Sequence, residues 1–159
     1  TSFEPPNMAT DSIDLTIRDD LSAQADCTFN LLCSDRLYPA CHPSLLALAA
    51  EQRVTLHGER EMDWSHWTVA GGAHVGQRDS GLNFSDPGLL LDAACNGLGI
   101  ALVSQLLAQH AHDAGLLQPL TEQRVRGANW AWLLHRDSEH NPLARHFCRW
   151  LQSALPAGA

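Results

Sequence analysis

The chain has 159 residues, 45% of them hydrophobic, with 11 Gly, 8 Pro and no fixed-period repeat; this is enough to bury a core in one domain or two small lobes, and it excludes collagen-like, solenoid and low-complexity classes. Ten basic residues, all of them Arg, against eighteen acidic ones give a formal charge of −8, and only Arg124 and Arg126 sit close together, so the cationic patch that nucleic-acid binding requires is missing. No apolar run reaches the ~20 residues of a membrane span, and the N-terminus lacks a basic-then-apolar signal, which predicts a cytoplasmic protein with no membrane partner.

The first element in chain order is Ile13–Ile17, where apolar and polar residues alternate as in a half-buried strand, ending at the polar Arg18-Asp19-Asp20. Cys27–Tyr38 reads as a second strand, longer than the ~5–6 residues usual for one, so it must bend or pass between two sub-structures. Pro43-Ser44 opens a short helical run over Leu45–Ala50, and Val54–Leu56 is a strand candidate. Met62–Ala70 places Trp64 and Trp67 on one helical face before Gly71-Gly72 ends the helix. After a brief strand at Gly81–Phe84, Ser85 or Asp86 can cap a helix that begins at Pro87 and stops at Gly97. Its single charge, Asp92, predicts burial on most sides. Leu98–Val103 is the continuous apolar run of a strand inside a parallel sheet. A helix over Leu106–Ala114, a strand over Trp130–His135 and a closing helix over Pro142–Leu155 follow. The closing helix is capped by Asn141 or Ser138, with Leu143, Phe147, Trp150 or Leu151, and Ala154 as its docked face. Strands alternating with helices predict a mostly parallel sheet.

Catalytic and metal chemistry find little support in these residues. The five cysteines lack CxxC spacing, which argues against a disulfide framework and a zinc knuckle; Cys27 and Cys95 read as small buried hydrophobes in a reducing compartment. His110 and His112, two apart on a helix, point about 200° from each other and cannot share an ion. Cys41-His42 has no partner pair, and His135, His140 and His146 do not repeat at helical ligand spacing, so no metal and no cofactor is expected. Ser104 follows an apolar strand without the flanking glycines of a nucleophile elbow. Gly97-Leu98-Gly99 precedes its strand, so it cannot cradle a dinucleotide phosphate. Asp19-Asp20 reads as a solvated turn. The remaining feature is the helix start at Ser85–Pro87, whose amides either receive a ligand or are simply capped. Ligands of open α/β sheets collect at the carboxyl ends of strands, here Arg18, Phe84 and Ser104.

The order of Ile13–Asp19 (IDLTIRD), Leu37–Leu46 (LYPACHPSLL), Gly81–Val103 (GLNFSDPGLLLDAACNGLGIALV), Leu116–Leu120 and Trp132–Leu151 resembles the effector-binding domain of LysR-type transcriptional regulators, nearest the glycine-cleavage and β-lactamase regulators. The resemblance covers nearly the whole chain. It implies an α/β, periplasmic-binding-protein-like fold of two lobes joined by two crossover strands. Lobe I would comprise 1–36 and 105–159, and lobe II 37–104, with Cys27–Tyr38 and Gly99–Val103 as the crossovers. Lobe I would lack its first strand and helix, leaving an unpaired sheet edge. The implied function is binding of a small metabolite in the inter-lobe cleft by Arg18, Asp19, Ser85, Asp86, Ser104 and Trp132, without catalysis.

The same resemblance implies a homo-oligomer, dimer or tetramer, that contacts DNA only through a winged helix-turn-helix absent from this chain. Three positions depart from the family pattern. Asp86 stands where relatives place Ser or Thr, and would repel an anionic effector or cap its own helix. Ala131 replaces a Tyr, and Asp20 a Gly. The alternative readings are a stand-alone solute-binding protein of this fold and, further off, a histidine-based metalloenzyme.

Overall fold

A computed structural model describes residues 7–8, 11–19, 26–59, 63–77 and 81–155; Asp20 and Met62 lie outside them. The chain forms two compact units, Thr1–Ser34 with Ala128–Ala159, and Asp35–Gly127. The division expected after Ser104 therefore falls instead after Gly127. Two strands pass from one unit into the other: β2 (Cys27–Cys41) and β7 (Val125–His135). β5 (Ile100–Ser104), expected as a crossover, lies wholly in the second unit. The reason is at the start of β7. Gly127 lets that strand lie close to β2, since a Cβ there would meet the Asp35 carbonyl and the Leu37 side chain at 3.2 Å, and the charged Arg124 and Arg126 on either side of the buried Val125 disguise a strand that continues to His135.

In the second unit β3 (Thr55–Gly58) pairs in parallel with β5 and with β4 (Asn83–Phe84). β2 runs antiparallel to β5, with Leu37 opposite Ser104, and antiparallel to β6 (Gln118–Pro119). The sheet is thus mixed rather than mostly parallel. Strands joined by helices do run one way, as crossovers require: β4 to β5 through α2 (Pro87–Cys95) and β5 to β6 through α3 (Gln105–Asp113). β2 carries the chain in from the first unit and runs against them between β5 and β6.

The pleat sorts the side chains of β2 and β5 to two cores. Tyr38, Ala40, Ala101 and Val103 pack with Leu90, Ala93 and Ala94 of α2 and Ala108 and Ala111 of α3. Leu37, Cys41, Ile100 and Leu102 pack with Trp64 and Trp67 of α1 (Trp64–Val69). Helix α2 buries one face only, leaving Leu89 and Asp92 exposed. The expected helix over Leu45–Ala50 is two 3-10 turns, Pro43–Leu45 and Ala50–Gln52, separated by the extended Ala49.

In the first unit β1 (Leu15–Arg18) pairs antiparallel with β7, Leu15 opposite Leu134 and Ile17 opposite Trp132. Among the described residues β1 is an edge strand. Helix α4 (Pro142–Ala154), capped by Asn141, covers one face with Ala144, Cys148 and Leu151. Of the expected docked face Leu151 packs, whereas Leu143, Phe147, Trp150 and Ala154 are exposed, which corrects the rest of that expectation. Both stripes are apolar at helical spacing. The small residues Ala144 and Cys148 let the helix approach the sheet, where Phe and Trp would hold it off. Among the described residues no helix is long and apolar enough to cross a membrane.

Candidate functional site

The predicted site residues fall on both units, at strand ends and helix starts. In the first unit Arg18 closes β1 and is 6% exposed, opposite Ala131 of β7. Successive residues of a strand point to opposite faces, so Arg18 shares its face with Thr16, Ala131 and Leu133. Trp132 shares the other with Ile17. Trp132 is buried beneath α4 with Leu134, Ala144 and Cys148. It is therefore a core residue on the face opposite Arg18, and the two do not converge. Its indole N–H has no hydrogen-bond partner among the described residues. Asp19 follows Arg18, half-buried, just past the strand.

In the second unit two helix starts carry the remaining positions. At α2 the Asp86 carboxylate accepts from the Leu89 amide at 2.9 Å, and the Asp86 carbonyl accepts from Leu90 at 3.1 Å. Pro87 at the first helical position has no N–H to offer. The start of α2 is thus filled by its own acid, the second of the outcomes open for Asp86, and a free anion would meet a carboxylate there. Ser85 is exposed beside it. Removing the cap by Asp86→Ala is expected to cost about 1 kcal/mol in urea-induced unfolding, whereas Asp86→Ser keeps an acceptor and is expected to cost only a few tenths.

Ser104 is buried and works as a cap, its Oγ accepting from the Leu107 amide at 3.2 Å. Beside it the buried Asp35 accepts from the amides of Arg36 at 2.8 Å and Leu106 at 3.2 Å. A carboxylate at the positive end of α3 is favoured by the helix dipole. Asp35 escaped the sequence reading; its one signal is an acid in the middle of a strand otherwise built to be buried. On the next residues of β2 the Tyr38 ring receives the Arg124 guanidinium 4.2 Å from its centroid. Burial pushes the Tyr38 hydroxyl above its ordinary pKa, Asp35 adds to the rise, and Arg124 opposes it. Arg124 is thereby absorbed into the fold rather than joined with Arg126 in a basic patch.

All five cysteines remain thiols. The buried ones are Cys33, Cys41 and Cys148, while Cys27 and Cys95, expected inside, are half-buried. Burial raises the thiol pKa of Cys27, Cys41, Cys95 and Cys148, which disfavours the nucleophilic thiolate. Among the described residues no three His, Cys, Asp or Glu side chains gather to hold a metal ion.

Within each unit the arrangement is one of anchoring and capping groups. A family model described as the LysR substrate binding domain matches residues 2–156. The HTH-type transcriptional activator AmpR of Citrobacter freundii is 29% identical over 158 residues, covering 92% of this chain and 53% of that protein; the chain spans about half the length of this curated relative. Among solved structures, the C. freundii AmpR effector-binding domain has a TM-score of 0.70 at 21% identity, covering 94% of this chain and 78% of that one. The AmpR effector domain of Pseudomonas aeruginosa gives 0.71 at 19%, covering 94% and 75%. Full-length LysG of Corynebacterium glutamicum, solved with its effector Arg bound, gives 0.65 at 19%, covering 94% and 53%. These likenesses carry the periplasmic-binding-protein-like fold, and with the match over residues 2–156 they establish that the chain belongs to the LysR substrate-binding-domain family.

Proposed function

We propose that this chain is the metabolite sensor of a cytoplasmic, DNA-binding transcription regulator, binding a small effector and self-associating, with no bond-making chemistry of its own. The observation that carries the reading is Arg18: a guanidinium 6% exposed at the end of an edge strand. Its planar fork suits a carboxylate. Asp86 makes the opposite demand, because a carboxylate at the start of α2 favours a cationic or hydrogen-bond-donating group. An amino acid carries the carboxylate that Arg18 suits. The relative LysG takes Arg, an effector of that class. Asp19 and Ser85 supply further polar contacts. Ser104 and Trp132 act indirectly, one by capping α3 and the other by seating β7 under α4.

A ligand that binds the folded chain and not the unfolded one raises its stability by RT ln(1 + [L]/Kd), about 2.7 kcal/mol at a hundredfold excess over Kd. For a domain of this size that corresponds to about 5–10 °C in Tm. Thermal unfolding against a panel of amino acids and small dicarboxylates is expected to show one such shift. Amino acids leaving Tm unchanged while dicarboxylates raise it would overturn the zwitterion assignment, and a flat panel would overturn the sensing reading.

A further inference from the structure

Helix α2 stops at Asn96-Gly97. Of the six asparagines in the chain, Asn96 alone is followed by glycine. That pair carries chemistry of its own. The backbone nitrogen after an asparagine can attack the side-chain carbonyl carbon, and glycine, lacking a Cβ, obstructs the attack least. Here the bond between the Gly97 nitrogen and the Asn96 Cγ forms and the Cγ–Nδ2 bond breaks. The Gly97 amide gives up its proton, the side-chain nitrogen departs as ammonia, and a five-membered succinimide remains. Water then adds to one of the two ring carbonyls. The ring opens to an aspartate, with the backbone intact, or to an isoaspartate, with the backbone routed through the side-chain carbon.

The fold holds each reacting group. Asn96 caps the C-terminus of α2, and Gly97, at φ +75°, takes the left-handed position that follows. The Gly97 N–H donates to the Ala94 carbonyl at 3.1 Å and the Leu98 N–H to the Ala93 carbonyl at 3.1 Å, the paired closure of a Schellman stop. Asn96 Nδ2 donates to the Asp92 carbonyl at 2.8 Å, and the Asn96 backbone N–H donates to the same oxygen at 3.0 Å. The nucleophile is the deprotonated amide, so the Gly97 N–H must first be released from Ala94, as in amide hydrogen exchange. The Asn96 side chain must also leave Asp92, and its ψ must rotate away from 6° to bring Cγ to the Gly97 nitrogen. Asn96 is exposed, so hydroxide and water reach it as soon as the last turn opens.

We propose that Asn96-Gly97 is a covalent modification site that the last turn of α2 keeps closed, with local opening of that turn setting the rate of ammonia loss. The product does not restore the cap. A carboxylate at position 96 sits at the negative end of the helix dipole, one turn after Asp92, and offers no N–H to the Asp92 carbonyl. An isoaspartate adds a methylene to the backbone and takes the Gly97 and Leu98 amides out of register with their acceptors. The modification thus loosens, irreversibly, the end of the helix whose start carries Asp86.

The test is mass spectrometry of the tryptic peptide spanning residues 79–124, taken at intervals from the intact chain held in mildly alkaline buffer at physiological temperature. A gain of one mass unit at position 96 is followed, and the chain unfolded in concentrated urea supplies the reference rate. The folded chain is expected to react at least about tenfold more slowly, and the slowing to equal the hydrogen-exchange protection of the Gly97 amide. Low urea, short of unfolding, is expected to leave the rate unchanged, because opening one turn exposes little surface. Asn96→Gln closes the larger ring far more slowly and is expected to abolish the gain at this position. Asn96→Asp, the product made directly, is expected to unfold at lower urea than the unaltered chain. Equal rates in the folded and unfolded chains would overturn the proposal. So would a slowing that departs more than about tenfold from the Gly97 protection, or a gain that arises first at Asn83. An Asn96→Asp chain as stable as the unaltered one would overturn the loosening of α2.

Discussion

Trp67→Ala is expected to destabilise the chain by about 3–5 kcal/mol, the cost of truncating a fully buried aromatic side chain. Trp67 has no solvent exposure and packs with Leu37, Cys41, Trp64, Val75, Ile100, Leu102 and Val125. Its indole N–H donates to the Ala73 carbonyl at 2.9 Å, so one side chain both fills the core and pins the loop that leaves α1. The fit is reciprocal. A Cβ on Gly72 would come within 2.1–2.4 Å of three indole atoms, so Gly72→Ala must displace the ring or the loop and is expected to cost about 1–3 kcal/mol. Urea unfolding of both variants and of Trp67→Phe checks this. Phe keeps most of the packing, leaves the Ala73 carbonyl without its donor, and is expected to fall between the extremes. An Ala variant within 1 kcal/mol of the unaltered chain would mean that the α1 face of the sheet contributes little to stability.

Elements whose signal is local were legible before any coordinates. Pro87, Asp86 and Gly97 bracket α2 as their backbone chemistry requires, and Gly97 takes φ +75°. Trp64 and Trp67 share a buried face three residues apart. What escaped depends on partners distant in sequence. The start of β7 reads as a polar loop until Gly127 is seen to lie against Asp35 and Leu37. On α4 two stripes satisfy the same 3.6-residue period, and size alone, Ala and Cys against Phe and Trp, decides which one docks. Asp35 has no local motif, because its function is to cap a helix 70 residues further along. The sheet is mixed where a mostly parallel one is expected for a related reason: helical crossovers specify the direction of the strands they join, but not of the strand inserted between them.

The helix starts bear on function together. Both α2 and α3 have their leading amides taken by side chains of the chain itself, Asp86 on one and Asp35 with Ser104 on the other. A carboxylate already at a helix N-terminus cancels the positive end that would otherwise draw an anion. Recognition of an effector's negative group in the proposed reading therefore falls to a cationic side chain rather than to backbone amides.

Arg18→Ala is accordingly expected to weaken binding of the stabilising metabolite by about 100-fold, or about 2.7 kcal/mol, the loss of a charge-assisted, two-pronged contact in a site shielded from water. Arg18→Lys keeps the charge but not the planar fork and is expected to recover part of the loss. Ile17→Ala is the control. Ile17 is the neighbouring residue of β1, 41% exposed on the other face beside Trp132, and its loss disturbs the strand without touching the guanidinium. Titration calorimetry gives the affinities, and urea unfolding of each variant separates lost binding from lost folding. Removing Asp86's charge by Asp86→Ser, with its cap retained, is expected to shift preference toward the more anionic members of the ligand panel, while Arg18→Ala shifts it away from them. Equal affinities for Arg18→Ala and the unaltered chain would remove Arg18 as the anchor, and with it the physical argument for a carboxylate-bearing effector.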